Sequence, residues 1–207
     1  MSLFIVFEGL DGSGLSTQAK LLSEFFKKQK YNNVITKEPT NNLIGGIIRA
    51  SLKKELKLNS KSLQLLFASD RCYHLETTIK PMLKKGKIVI CDRYIYSSYA
   101  FGMADNLKLD WLKAINHGFL IPDMVFFIDV PPQECIKRIK DSREEIELFE
   151  KEDKLRKVRE NYLALVKENQ NFYRIDGTQT IKEVHEATVE FIRRYLKQNK
   201  KDLQKFL

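Results

Sequence analysis

Short apolar runs punctuate the chain, and longer amphipathic stretches separate them. Leu3–Phe7, Val34–Lys37, Ile88–Cys91, Met124–Val130 and Phe172–Ile175 are rich in Ile, Val or Phe. Each is too short for a helix and reads as a strand. Between them the apolar positions recur at helical spacing. Ser16–Lys30 puts Ala19, Leu22 and Phe26 on one stripe, widened by Leu21 and Phe25. Ser62–Lys80 puts Leu63, Leu66, Phe67 and Asp70 at i, i+3, i+4 and i+7; Arg71 and His74 continue that face, and Pro81 bends or interrupts it. Shorter helices are predicted near Ile44–Leu52, Ile95–Met103 and Leu109–Phe119. Two more run from about Lys154 to Gln170 and along the stripe Val184, Ala187, Val189, Phe191, Ile192. Pro39 ends the second strand, and Pro131-Pro132 opens a helix at its first turn. Strands alternating with helices predict an α/β fold, a mostly parallel sheet with helices on both faces. No repeat or linker divides the chain, so residues 1–207 read as a single domain.

In such a sheet the ligand sits beyond the C-terminal ends of the strands. Asp11, Lys37-Glu38, Asp92-Arg93 and Asp176 fall there. Hydrophobic residues at 43% and charged residues at 30% exclude a disordered chain. No apolar run approaches the roughly 20 residues of a membrane span. The N-terminus enters the first strand with no signal pattern. Cys72, Cys91 and Cys135 form no C-x-x-C pair and read as buried thiols in a reducing cytoplasm. The net charge of +9 fits nucleic acid or small polyanionic substrates. No basic stretch is interleaved with aromatics, which counts against nucleic acid. The basic tail Arg193–Leu207 reads as a solvated helix end.

Small polyanions are also what the segment after the first strand suggests. Gly9, Gly12 and Gly14 crowd together, Ser16 and Thr17 follow, and a helix begins. Glycines let backbone N–H groups turn inward, and a helix start adds partial positive charge, so this is a phosphate cradle. The pattern G-x-x-x-x-G-K-[ST] is met at Gly9, Gly14 and Ser16 but not at Leu15, which stands where the Lys belongs.

Six ordered blocks then carry a resemblance: Phe7–Thr17, Thr36–Thr40, Leu65–Arg71, Asp92–Phe101, Pro122–Pro132 and Arg174–Glu186. The chain resembles thymidylate kinases, among the P-loop nucleoside-monophosphate kinases. The resemblance implies a three-layer sandwich around a five-stranded parallel sheet of order 2-3-1-4-5. It implies transfer of the γ-phosphoryl group of ATP to dTMP with Mg²⁺, in a cytoplasmic homodimer with no nucleic-acid or membrane partner.

The site residues follow from the same resemblance. Gly9, Leu10, Asp11, Gly12, Ser13, Gly14, Leu15, Ser16 and Thr17 would surround the ATP phosphates, with Asp11 also near the acceptor's 3′-hydroxyl. Ser16 and Asp92 would serve the metal. An acceptor region at about 37–85 supplies Lys37, Glu38, Phe67 and Arg71, with Phe67 stacked on the pyrimidine. Arg93, Ser97, Ser98 and Phe101 complete it, Arg93 on the acceptor phosphate and Phe101 crowding the sugar 2′ position. A lid at about 139–154 brings Arg143 as transition-state charge. Arg138 and the Asp176–Thr178 loop, with Gly177, would lie near adenine. Arg93, Arg143 and Asp92 are the catalytic set. Simpler readings stand beside these: an ion pair for Asp92-Arg93, core packing for Phe67 and a surface charge for Arg143.

Three positions depart from the family pattern. Leu15 removes a cation typically worth about 10²–10³ in rate, which Lys20 or Lys37 would have to replace. Lys37 stands where relatives often carry Arg. Gly102 stands where relatives tend to carry Gln or Thr near the base, which loosens the expected thymine recognition. The alternatives are therefore a broader nucleoside-monophosphate kinase and a nucleotide-binding protein with weakened or lost catalysis.

Overall fold

A computed structural model describes residues 2–141 and 149–198. Five strands, β1 (Leu3–Gly9), β2 (Asn33–Lys37), β3 (Ile88–Asp92), β4 (Met124–Asp129) and β5 (Phe172–Asp176), form one parallel sheet in the order β2-β3-β1-β4-β5. β1 and β4 are buried along their whole length, as central strands covered on both faces must be. That explains why they read as unbroken apolar runs.

Right-handed crossovers between parallel strands carry successive helices to the faces of such a sheet. α1 (Leu15–Lys28) and α9 (Ile181–Gln198) pack together on one side. α5 (Ile95–Ala104) and α8 (Phe149–Glu168) pack together on the other, with α3 (Ser60–His74) and α6 (Leu109–Ile115) beside α5. α2 (Leu43–Leu52) lies on α3; α4 (Lys80–Lys84) precedes β3, and α7 (Pro132–Lys140) precedes α8. The Phe127 and Tyr162 rings stack at 5.0 Å between β4 and α8. Side-chain caps from Asn42 and Asn59 start α2 and α3.

Several expectations need correction. The helix expected over Ser62–Lys80 leaves α geometry at His74; a π-helical segment, Leu75–Ile79, intervenes before Pro81 enters α4. Its buried residues are Gln64, Ala68, Asp70, Arg71 and His74, while Leu63, Leu66 and Phe67 are only half-buried. Cys72 is exposed, on the opposite face, whereas Cys91 and Cys135 are buried. α8 begins at Phe149 rather than Lys154, so helix takes in both ends of the charged stretch 139–154. At Gly102 a Cβ would lie 2.7 Å from Leu112 Cδ2, so its bareness lets α6 close on α5. Among the described residues, no helix is long and apolar enough to cross a membrane.

Candidate active site

The C-terminal ends of β1, β2 and β3 meet where the register pairs Phe7 and Lys37 with Asp92. From Gly9 the chain turns through Gly12 and Gly14 into α1. Both glycines have positive φ, +84° and +94°, a region that costs other residues about 1–2 kcal/mol. A Cβ at Gly12 would also strike the Cys135 carbonyl oxygen at 2.7 Å. Unlike α2 and α3, α1 starts with no side-chain cap, and its first turn holds no acid. Its first amides and its dipole therefore face an anion site. Ser13 Oγ is buried without a hydrogen-bond partner among the described residues, a further donor within the loop.

Ser16 Oγ donates a short hydrogen bond to Asp92 Oδ2. A hydroxyl and a carboxylate in contact at a helix start are hard oxygen ligands, and they fit Mg²⁺. Leu15 turns inward and is 5% exposed, packed toward Gly9 and the core. The cations nearby are elsewhere. A cleft of about 640 Å³ between α1, β2 and α3 is lined by Ser16, Lys20, Lys37, Thr40, Tyr73 and Asp92. Lys20 and Lys37 are exposed, and neither is ion-paired among the described residues.

Arg93 follows β3 at φ +67°, a strained conformation for a side-chain-bearing residue. Its N–H donates to the Phe7 carbonyl at 2.9 Å. Its guanidinium donates to Gly9 O at 2.8 Å, Ser97 Oγ at 3.1 Å and Asp11 Oδ1 at 2.8 Å, and lies 5.4 Å from the centre of the Phe101 ring. Burial alone would lower its pKa; Asp11, with further help from Glu8 and Asp92, more than offsets this and keeps it raised. Beneath Arg93 lies Glu8, fully buried in β1. Glu8 Oε1 accepts from Tyr94 N at 3.0 Å and Ser97 N at 3.1 Å; Oε2 accepts from Ser97 Oγ at 2.5 Å and Tyr162 Oη at 2.8 Å. Burial pushes the Glu8 carboxyl up to about 6, against the pull of Ser97, Arg93 and Tyr162.

Residues of the expected acceptor region form a second buried network. Arg71 is 1% exposed. Its Nε donates to Glu38 Oε2 at 2.9 Å, one terminal nitrogen donates to Asn116 Oδ1, and the other serves Tyr94 O and Ser98 Oγ. His74 sits between Glu38 Oε1 at 3.1 Å and Thr36 Oγ1 at 2.6 Å. Asp70 accepts from Thr40 N and Oγ1. Arg71 is thus engaged from within the protein, and Phe67 is half-buried on the same helix. At the other end of the sheet, Arg138 donates to the Gly177 carbonyl at 3.1 Å, joining α7 to the β5–α9 loop. Arg143 lies outside the described residues.

The geometry brings Gly9–Thr17, Lys37, Asp92, Arg93, Ser97 and Phe101 to one end of the sheet, and unites Glu38, Arg71 and Ser98 below it. Sequence reasoning missed Glu8, Tyr162, His74, Asp70 and Asn116. It also missed Asp129, which anchors Arg159 of α8 at 2.6 Å and Arg174 of β5 at 2.7 Å. A charged residue inside an apolar strand was a readable signal for Glu8 and Asp129. Tyr162 gave none, since its spacing with Leu155, Val158 and Leu165 reads as ordinary core.

A parallel 2-3-1-4-5 sheet, a glycine turn into an uncapped helix and a serine on a strand-end aspartate define a P-loop α/β protein. The family model described as thymidylate kinase matches residues 7–188. A "Probable thymidylate kinase" of Pyrococcus abyssi is 41% identical over 199 residues, 93% of this chain and 97% of that protein. A protein of the same name from Methanocaldococcus jannaschii is 42% identical over 193 residues, 93% and 96% of the two chains. The chain belongs to the thymidylate kinase family and is therefore a nucleoside-monophosphate kinase.

Proposed function

We propose that the protein transfers the γ-phosphoryl group of ATP to dTMP, giving ADP and dTDP. The observation that carries this reading is the guanidinium of Arg93, pinned by Gly9 and Asp11 at the rim of the uncapped start of α1. The reaction must bring two phosphate groups together against their repulsion. It needs positioned positive charge more than covalent help. An oxygen of the acceptor phosphate attacks the γ-phosphorus in line, the bond to the β–γ bridging oxygen breaks, and ADP departs. The α1 amides hold the donor phosphates, and Arg93 holds the acceptor phosphate through its fork. Asp11 orients Arg93 and meets the acceptor's 3′-hydroxyl. Phe67 stacks on the pyrimidine, Phe101 closes the sugar's 2′ side, and Arg138 with Gly177 borders adenine. Lys37 adds charge on the acceptor side, and Arg143 supplies it from the lid. Mg²⁺ held by Ser16 and Asp92 would neutralise phosphate charge when bound.

Lys20 and Lys37, unpaired among the described residues and beside Ser16 and Asp92, are the cations that stand in for the missing loop Lys. The chain is accordingly expected to turn over dTMP with ATP and Mg²⁺ as it stands. Leu15→Lys is expected to change kcat by less than about tenfold, well short of the typical value of such a donor. A coupled ADP-release assay on both proteins decides this. No turnover by the unmodified chain, restored by Leu15→Lys, would favour the second reading, a nucleotide-binding protein whose loop is disabled at Leu15. Equal use of UMP, dUMP and dGMP would favour the broader kinase.

We also infer a cytoplasmic homodimer. Leu43 (82% exposed) on α2 and Leu65 (51%) on α3 leave apolar surface on one helix layer. Light scattering at micromolar concentration is expected to give twice the chain mass, and Leu43→Glu with Leu65→Glu to give one chain mass. A monomer before substitution would sink this reading.

A further inference from the structure

We infer that Glu8 is a positioning residue for phosphoryl transfer, its carboxylate fixing Arg93 and the start of α5 from below through fixed reach and charge. The inference rests on the dTMP kinase reading and adds a residue to it. α5 has no side-chain cap of its own, and its N-cap residue Tyr94 has φ −157° and ψ −144°. Glu8 takes the place of a cap from the neighbouring strand, accepting from Tyr94 N and Ser97 N. Its other oxygen accepts from Ser97 Oγ, which in turn accepts from Arg93. Tyr162 brings α8 to the same oxygen. One buried carboxylate therefore joins β1, the strained Arg93 turn, α5 and α8. Its negative charge also lies beneath the Arg93 guanidinium.

The surroundings single out Glu8 as the group that titrates near neutrality. Facing it are Arg93 and Cys91 about β3, Tyr96 on α5 and Tyr162 on α8. The pKa of each is raised from an already high value, whereas that of Glu8 sits at about 6. On the β4 side its register partner is apolar Phe127. Protonation would turn one oxygen from acceptor to donor and withdraw the charge beneath Arg93.

Glu8→Gln separates charge from packing. Its amide oxygen still accepts from the two backbone amides, and its NH₂ can donate to the Ser97 and Tyr162 hydroxyls once these rotate. The variant is expected to lower kcat by about 10- to 100-fold, in the range of small misplacements at a reacting centre, with KM for ATP unchanged. Its Tm at pH 8 is expected to equal or exceed that of the unmodified protein. Between pH 5 and 8.5 the unmodified protein should lose kcat/KM for dTMP with two ionisations on the acid side, that of the substrate phosphate and that of Glu8. Glu8→Gln should keep only the first. Calorimetric dTMP binding over the same pH range makes the comparison without turnover. If dTMP binds but is not phosphorylated, the kinase reading fails while the binding slopes still test Glu8. Equal acid slopes in both proteins, or a kcat loss matched by a fall in Tm, overturn the proposal.

Discussion

Arg93→Gly is expected to lower kcat by about 10²–10³, the usual value of one preorganised donor at a developing charge, while Tm moves by only a few degrees. The two halves have separate causes. Removing the guanidinium takes away the fork that the acceptor phosphate requires. The backbone at residue 93, however, has φ +67°, and glycine relieves a strain of about 1–2 kcal/mol there. Against this stand the bonds to Gly9 O and Ser97 Oγ, each worth on the order of 1 kcal/mol net. The ion pair to Asp11 adds little, because Asp11 is 64% exposed and such pairs contribute about 1 kcal/mol or less. Steady-state kinetics with thermal melts on the same preparation test both halves. A kcat loss below tenfold would remove Arg93 from the catalytic set.

Glu38→Ala is expected to act on stability instead, by about 3–5 kcal/mol. Arg71 and Glu38 are 1% and 2% exposed at their side chains, so deleting the carboxylate strands a buried guanidinium. His74 loses its acceptor at the same time. For a chain of this size the loss corresponds to a Tm lower by roughly 6–20 °C. Glu38→Leu combined with Arg71→Met is expected to be less damaging than Glu38→Ala alone, since no unpaired charge then remains. A urea-unfolding cycle of singles and double measures the coupling. Additive effects would mean that the pair is not the organising contact of this network.

These two sites also mark how far the sequence could be read. The five strands, the glycine loop and the Asp92-Arg93 strand end were legible because local signals carry them: apolar runs, crowded glycines, acids and bases where strands stop; the order of the strands came only through the family resemblance. The buried face of α3 was not. The helical stripe through Leu63, Leu66, Phe67, Asp70, Arg71 and His74 invites an apolar core reading at its start, yet it is the polar end that goes inside, with Gln64, while the three apolar residues stay half-buried. The partners of Asp70, Arg71 and His74 are 30 to 45 residues away, in Thr40, Glu38, Thr36 and Asn116, and no local period reveals such pairings. The packing role of Gly102 was hidden for a related reason: the space beside it belongs to Leu112, which only the packing of α6 discloses. Leu15 was legible as an absence, but the inward turn of its side chain was not.

Glu8 bears on how such a protein can be changed in the laboratory. With its carboxyl raised from 4.5 to about 6 in the folded state, the native form binds the proton more tightly than the unfolded chain. Stability therefore grows as pH falls from about 6 to 4.5, and above 6 the fold carries the whole burden, about 2 kcal/mol. A library screened only for survival of heating would be drawn toward neutral residues at position 8, and its hardiest members would be slow enzymes. Screening for turnover in the same library would hold the glutamate in place. Sorting one pool both ways would make position 8 the first place where the two lineages part.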